Sequence, residues 1–195
     1  MLNDRSSLLS LLETRRSGRP RDLAAPGPTP RELDRILAIA MRSPDHGKLH
    51  PWRFVHVPQD RRAHFAALLQ AAYRIDNPDP GRLEIEAHER FAHQAPELVV
   101  ALSCPTEAHK IPVWEQQLSC GAACMNLVLA AHASGYVAGW VTGWAAYSPA
   151  VLAAFGAPPE RIAGFIFLGT PGIELEERLR PEPGEVVSQW APPPK

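Results

Sequence analysis

Arg15, Arg16, Ser17 and Arg19 fall within five residues of one another, and together they could hold an anion. Guanidinium forks match the paired oxygens of a phosphate monoester, and a hydroxyl adds a further donor. Gly18 and Pro20 interrupt the helical pattern at this point, so the neighbouring side chains are presented towards one place. The same residues would also suit a basic helix end that complements the helix dipole. Local sequence leaves both readings open.

Three other groups invite a chemical reading. Asp45, His46 and His50 combine carboxylate with imidazole, the donors that suit zinc. Pro51 prevents a helix that would align positions four apart, and no nearby Cys or Glu completes a tetrahedral set. A polar loop lining a cofactor edge is therefore the reading favoured, with no metal expected. Cys120 and Cys124 stand four apart in a run of small residues, where a buried structural role is expected rather than a nucleophile, and no side chain is nominated as catalytic. In Trp140-Val141-Thr142-Gly143-Trp144 two indoles flank a glycine at the end of a strand pattern. That segment is either ordinary core and turn, or a row of main-chain donors able to reach the polar edge of a flavin ring.

These residues must be positioned by a mixed set of elements. A leucine stripe over 6–16 predicts a helix, and Thr29-Pro30-Arg31-Glu32 reads as an N-cap, a first-position proline and a capping-box glutamate opening a helix over 30–42. Phe54-Val55-His56-Val57 alternates as a strand, residues 60–73 show helical spacing, and the charge-rich stretch 78–94 predicts a solvated surface helix or lid. Leu98-Val99-Val100-Ala101-Leu102 predicts a buried strand, and 112–134 a long helix of small residues that Gly135 terminates. Strands follow at 136–142 and 164–169, separated by a short helix from Ser148-Pro149 to Phe155. Strands and helices alternate, giving an α/β or α+β sheet protein.

The chain has 195 residues, enough for one substantial core, and a single domain over 1–172 with an extended tail over 173–195 is expected. Twenty basic against 21 acidic residues offer no sustained positive field for a nucleic-acid backbone. No basic start precedes an apolar run, and nothing approaches the roughly 18 consecutive apolar residues that span a bilayer. Three cysteines are not a secreted disulfide framework, so a soluble cytoplasmic protein is expected, with neither nucleic acid nor membrane as partner. The absence of G-x-G-x-x-G after a strand, of G-x-S-x-G and of a P-loop removes the Rossmann, hydrolase and nucleotide-triphosphatase readings.

Taken in order, R-R-S-x-R, M-R-S-P-D-H-G-K-L-H-P-W, W-E-Q-Q-L-S-C-G-A-A-C-M-N-L-V-L-A-A, G-W-V-T-G and G-F-I-F-L-G-T-P resemble, as an ordered set, the nitroreductase family, especially its compact NAD(P)H nitroreductases, and the resemblance runs from about residue 8 to 172. The resemblance implies an α+β fold with a central, mainly antiparallel sheet flanked by helices, in an intertwined homodimer with two FMN sites at the interface. It implies that Arg15, Arg16 and Ser17 hold the FMN phosphate and ribityl chain, and that Arg19 is the cation near the isoalloxazine N1–O2 edge. Arg42 and His46 match loop residues contributed by the partner subunit. Trp140, Val141 and Thr142 match the strand-end segment along the flavin, while Arg178 and Arg180 match a C-terminal basic pair near the phosphate.

The activity implied is transfer of hydride from NADH or NADPH to FMN and from there to an electron-poor small molecule, such as a nitroaromatic or a quinone, by a ping-pong scheme. A flavin storage or sensing module, or another flavin enzyme on the same scaffold such as a dehalogenase or a flavin-fragmenting enzyme, are the alternatives. His50 stands where many relatives have Gln or Asn before Pro-Trp, and Val141 where close relatives carry a basic residue. Main-chain contacts survive such changes, whereas side-chain contacts to substrate do not.

Overall fold

One long strand organises the sheet in the computed structural model, which describes residues 1–193; Pro194 and Lys195, the end of the expected tail, lie outside the described residues. This strand, β5 (Arg161–Pro171), carries Ile162, Phe165, Ile166, Phe167 and Leu168, all buried. Because both of its faces are covered, it reads in sequence as a nearly continuous apolar run. Strand β3 (Glu97–Ser103) pairs along one edge of β5 and β4 (Val137–Val141) along the other. Strand β2 (Trp52–His56) adds outside β3, and β1 (Leu23–Ala24) meets β5 at Thr170 and Pro171. The order is β2-β3-β5-β4, with β1 at the end of β5 and every pairing antiparallel. This is the expected α+β arrangement with its central antiparallel sheet.

Helices cover both faces, and strand alternation decides which side chains meet which helix. Helices α2 (Pro30–Ala40) and α5 (Val113–Ala133) lie over Val99, Ala101, Ala138, Ile166 and Leu168. On the opposite face α3 (Arg62–Asp76), α4 (Arg82–Ala92), α6 (Trp144–Tyr147) and α7 (Pro149–Leu152) lie over Leu98, Val100, Leu102, Phe165 and Phe167. Helix α1 (Leu8–Thr14) precedes the sheet, and α8 (Pro183–Val186) follows it. No helix among the described residues is long and apolar enough to cross a membrane.

Local chemistry explains several boundaries. Thr29 caps α2: its N–H donates to Glu32 Oε2 at 2.8 Å, and its hydroxyl accepts from the Glu32 N–H. Gly135, at φ +96°, closes the turn after α5. The helix expected from Ser148 to Phe155 is α7, which ends at Leu152, and a further short helix that the sequence did not signal, α6, precedes it. Ser148 precedes Pro149 and is held extended at ψ 121°, which separates the two. The stretch 78–94 is more than a solvated surface. Phe91 meets Phe165 and Phe167 edge-on, each at 5.3 Å, and Ala92 is fully buried, so α4 is docked by its C-terminal end.

Between Ala101 and Leu102 the β3–β5 register slips, because Gly164 pairs with Ala101 while Ile162 pairs with Leu102. Gly164 adopts φ +156°, and a Cβ there would lie 2.2 Å from Trp140 Nε1. Glycine thus lets the bulge form and gives the Trp140 indole its seat, from which it donates to the Ala163 carbonyl at 3.0 Å.

Candidate functional site

Helix α1 ends at Thr14, and the chain then runs extended through Arg15 towards Pro20, which opens a single 3₁₀ turn. Gly18 is needed for packing rather than for turning. A Cβ on it would lie 2.8 Å from Leu23 Cδ2 and 3.0 Å from Val137 Cγ1, so only glycine lets the segment press against the start of β4. Gly139 does the same from the other side, since a Cβ there would come within 2.6 Å of the Gly18 carbonyl oxygen. Two glycines therefore bring the basic segment and the β4 strand end together.

The result is a cleft of about 500 Å³ lined by Arg16, Ser17, Arg19, Trp140, Val141 and Arg178, among others. That volume is in the range of small-molecule sites. Arg15 Nη1 donates to Ser17 Oγ at 3.0 Å, aligning a guanidinium and a hydroxyl. The C-terminal segment comes back to meet them: Arg180 Nη2 donates to the Arg15 carbonyl at 3.4 Å, and Arg16 Nε donates to the Glu176 carbonyl at 2.8 Å. Arg180 is paired with Glu177 at 3.2 Å.

Burial, followed by the nearby Arg180 and Arg16 charges, pulls the Arg15 guanidinium below its ordinary pKa, with Glu177 acting in the opposite sense. Crowded cations of this kind are stabilised by an anion placed among them. The donors, the charge and the room fit a phosphate monoester joined to a flat ring along β4.

The cleft thus gathers Arg16, Ser17, Arg19, Trp140, Val141 and Arg178 in its lining, and Arg15 and Arg180 adjoin it, Arg15 through Ser17 Oγ and Arg180 through the Arg15 carbonyl. Thr142 lies one residue past the end of β4, exposed and outside the lining. Arg42 and His46 are not brought into it. The Arg42 carbonyl accepts from Asn126 Nδ2 at 3.3 Å and His46 Nδ1 is paired with Glu115 Oε2 at 2.8 Å, which places both along the flank of α5. Asp45 spends its two oxygens on the backbone N–H groups of Leu49 and His50, at 3.0 and 2.9 Å, so it shapes the loop.

Cys104 and Cys124 offer no thiolate here. Burial, then Glu160, pushes the Cys104 thiol up to about 12, and the hydrogen bond with Cys120 together with burial raises Cys124 further still. Sequence reasoning missed Glu176 and Glu177, which share the cleft, because nothing local ties residues 176–177 to residues 15–19. It also missed the cluster beside the strand end. Tyr73, His88 and Trp144 have ring centroids 4.4 to 4.9 Å apart, and the Trp144 indole donates to Asp76 at 2.9 Å, tying α6 to α3 and α4.

Comparison with known proteins agrees with this fold. The model of the Nitroreductase family matches residues 12–170. The protein named "Putative NAD(P)H nitroreductase" of Haemophilus influenzae is 40% identical over 173 residues, which are 87% of this chain and 91% of that one. "Putative NAD(P)H nitroreductase YdjA" of Escherichia coli K12 is 35% identical over 184 residues, covering 93% and 98%. Among solved structures, a nitroreductase of Desulfovibrio desulfuricans in complex with FMN superposes with a TM-score of 0.70 at 21% identity, covering 94% of this chain and 97% of that one. On the extent of the family match and the identity to these relatives, the chain belongs to the nitroreductase family, a family of oxidoreductases.

Proposed function

We propose that the protein is an FMN-dependent oxidoreductase that takes electrons from NADH or NADPH and passes them to electron-poor small molecules such as nitroaromatics or quinones. The observation that carries this reading is the cleft itself, in which Arg16, Ser17, Arg19 and Arg178 stand beside the exposed end of β4, with Arg15 and Arg180 joined to its edge by hydrogen bonds. Arg15, Arg16, Ser17, Arg178 and Arg180 hold the FMN phosphate and ribityl chain through charge-assisted hydrogen bonds. Trp140 and Val141 would line the ring through their main chain, with Thr142 just beyond them, and Arg19 would be the cation beside its polar edge. Bound FMN supplies the two-electron chemistry, and the protein supplies orientation and electrostatics. Arg19 stabilises negative charge that develops next to it, and no side chain acts as nucleophile.

A second copy of the chain completes the site. Leu8, Leu9 and Leu12 of α1 and Trp114 and Leu118 of α5 are exposed at 50 to 74%, apolar side chains that a second copy would cover. On the same helix a Cβ at Gly121 would meet nothing within 4 Å, which leaves room for close backbone approach. Arg42 and His46 lie beside that surface and away from their own chain's cleft, as residues delivered to a partner's cleft would.

The decisive experiment is optical. The purified protein is expected to be yellow, to release FMN on denaturation and to bleach anaerobically with NADH or NADPH, with parallel double-reciprocal lines in steady state. Bleaching separates turnover from flavin storage. A colourless monomer that ignores added FMN would end the reading.

A further inference from the structure

Behind the cleft, the peptide of Arg16 is gripped from two sides. Asn3 donates from Nδ2 to the Arg16 carbonyl at 3.1 Å and accepts the Arg16 N–H on Oδ1 at 2.8 Å, so one side chain takes both polar groups of that residue. Asn3 is at φ +54°, where asparagine is tolerated better than most residues, and its own N–H donates to the Thr14 carbonyl at 3.0 Å. The N-terminal residues thus fold back on the end of α1.

From the other side comes His132, in the last turn of α5 and 1% exposed. Its Nε2 lies 3.1 Å from the same Arg16 carbonyl, and its Nδ1 lies 2.7 Å from the Val128 carbonyl. Both oxygens can only accept, so the neutral ring, with one N–H, donates to one of them, and it grips Arg16 in the tautomer that carries the proton on Nε2. Arg16 stands between the two residues, Arg15 and Ser17, whose side chains are joined in front. A shift of its peptide would move both.

We propose that His132 and Asn3 are positioning residues for flavin binding: they fix the Arg16 peptide against α5, and through it the Arg15–Ser17 donor pair that receives the FMN phosphate. This rests on the assignment of that pair to FMN. It goes further by giving work to a buried imidazole and an N-terminal amide that touch neither cleft nor ring. The clamp pre-organises the loop, so that binding need not fix it.

The test compares amides that imitate one ring nitrogen each. Glutamine at position 132 carries its amide near the place of Nε2, and asparagine near that of Nδ1. FMN dissociation constants are measured on FMN-depleted protein by quenching of flavin fluorescence, with thermal midpoints taken in parallel. His132→Gln is expected to bind FMN within about threefold of wild type, and His132→Asn about tenfold more weakly at a similar midpoint, the effect of one lost hydrogen bond. Asn3→Gly keeps the backbone conformation and removes the side chain, and is expected to weaken FMN about tenfold as well. It decides the matter alone if the His132 variants do not fold. Equal loss in the two amide variants, affinity that only follows the thermal midpoint, or an unchanged Asn3→Gly would overturn the clamp while leaving the flavin site standing. Wild-type protein that binds no FMN overturns both.

Discussion

Arg19 and the Arg15–Ser17 pair belong to one loop, yet they are expected to face different parts of the same ligand. The pair is hydrogen-bonded and partly buried, suited to a fixed anion, while Arg19 is exposed at the rim beside Trp140 and Val141. Replacing Arg19 by Ala should therefore slow reduction by NAD(P)H about 100-fold, the size of one lost transition-state donor, and change FMN affinity by less than about tenfold. Replacing Arg15 and Ser17 together by Ala should raise the FMN dissociation constant about 100-fold, because two charge-assisted or hydroxyl donors go at once. Stopped-flow reduction and fluorescence titration read the two quantities separately. Equal effects from both variants would show the roles to be misassigned.

At the scale of elements, α3 and α4 are joined by a buried guanidinium that makes no ion pair among the described residues. Arg62 donates to the carbonyls of Val57 at 2.7 Å, Ala92 at 2.8 Å, Ala95 at 3.4 Å and Pro96 at 3.3 Å. Ala92 is the last residue of α4, so Arg62 caps that helix and holds the approach to β3. Burial lowers its pKa to about 10, and it stays charged at neutral pH. Arg62→Met should destabilise the fold by about 3 kcal/mol, since several buried carbonyls lose their donor, and the urea midpoint is the measurement. His132 and His88 tie other elements, and burial holds both imidazoles below their ordinary value of 6.5. A histidine with a depressed folded-state pKa leaves stability intact above the unfolded value. As pH falls through 6.5 and below, the unfolded chain binds more protons and stability is lost. The thermal midpoint of the protein should decline over that window, and His88→Phe combined with His132→Gln should flatten the decline.

The whole molecule is finished only by a second copy, in the reading proposed here. Leu118, 53% exposed on the uncovered face of α5, is a point where that contact can be broken without touching the cleft or the core. Leu118→Glu replaces an apolar contribution of about 2 kcal/mol per chain with a buried charge. Light scattering should report a monomer, and the yellow colour should fade on gel filtration as the partner's loop is withdrawn. A dimeric, fully flavinated Leu118→Glu protein would move the interface elsewhere.

Short-range signals were enough for much of this. The Thr29–Glu32 cap, the apolar runs of β3 and β5, and the Arg15–Arg19 and Trp140–Thr142 segments are each written within a dozen residues, because they depend on neighbouring side chains and backbone propensity. Arg62 and His132 look in sequence like any basic residue on a helix, and Glu176 gives no hint of Arg16. Their roles arise where chain segments 30 to 160 residues apart meet, as Arg62 with Ala92 and Arg16 with Glu176 do. The sequence by itself determined the family and most of the types of element, and it pointed to the residues of the proposed anion site. Only the tertiary structure decided which polar groups lost their water and had to find one another, because burial is a property of the packed chain and not of any one stretch of it.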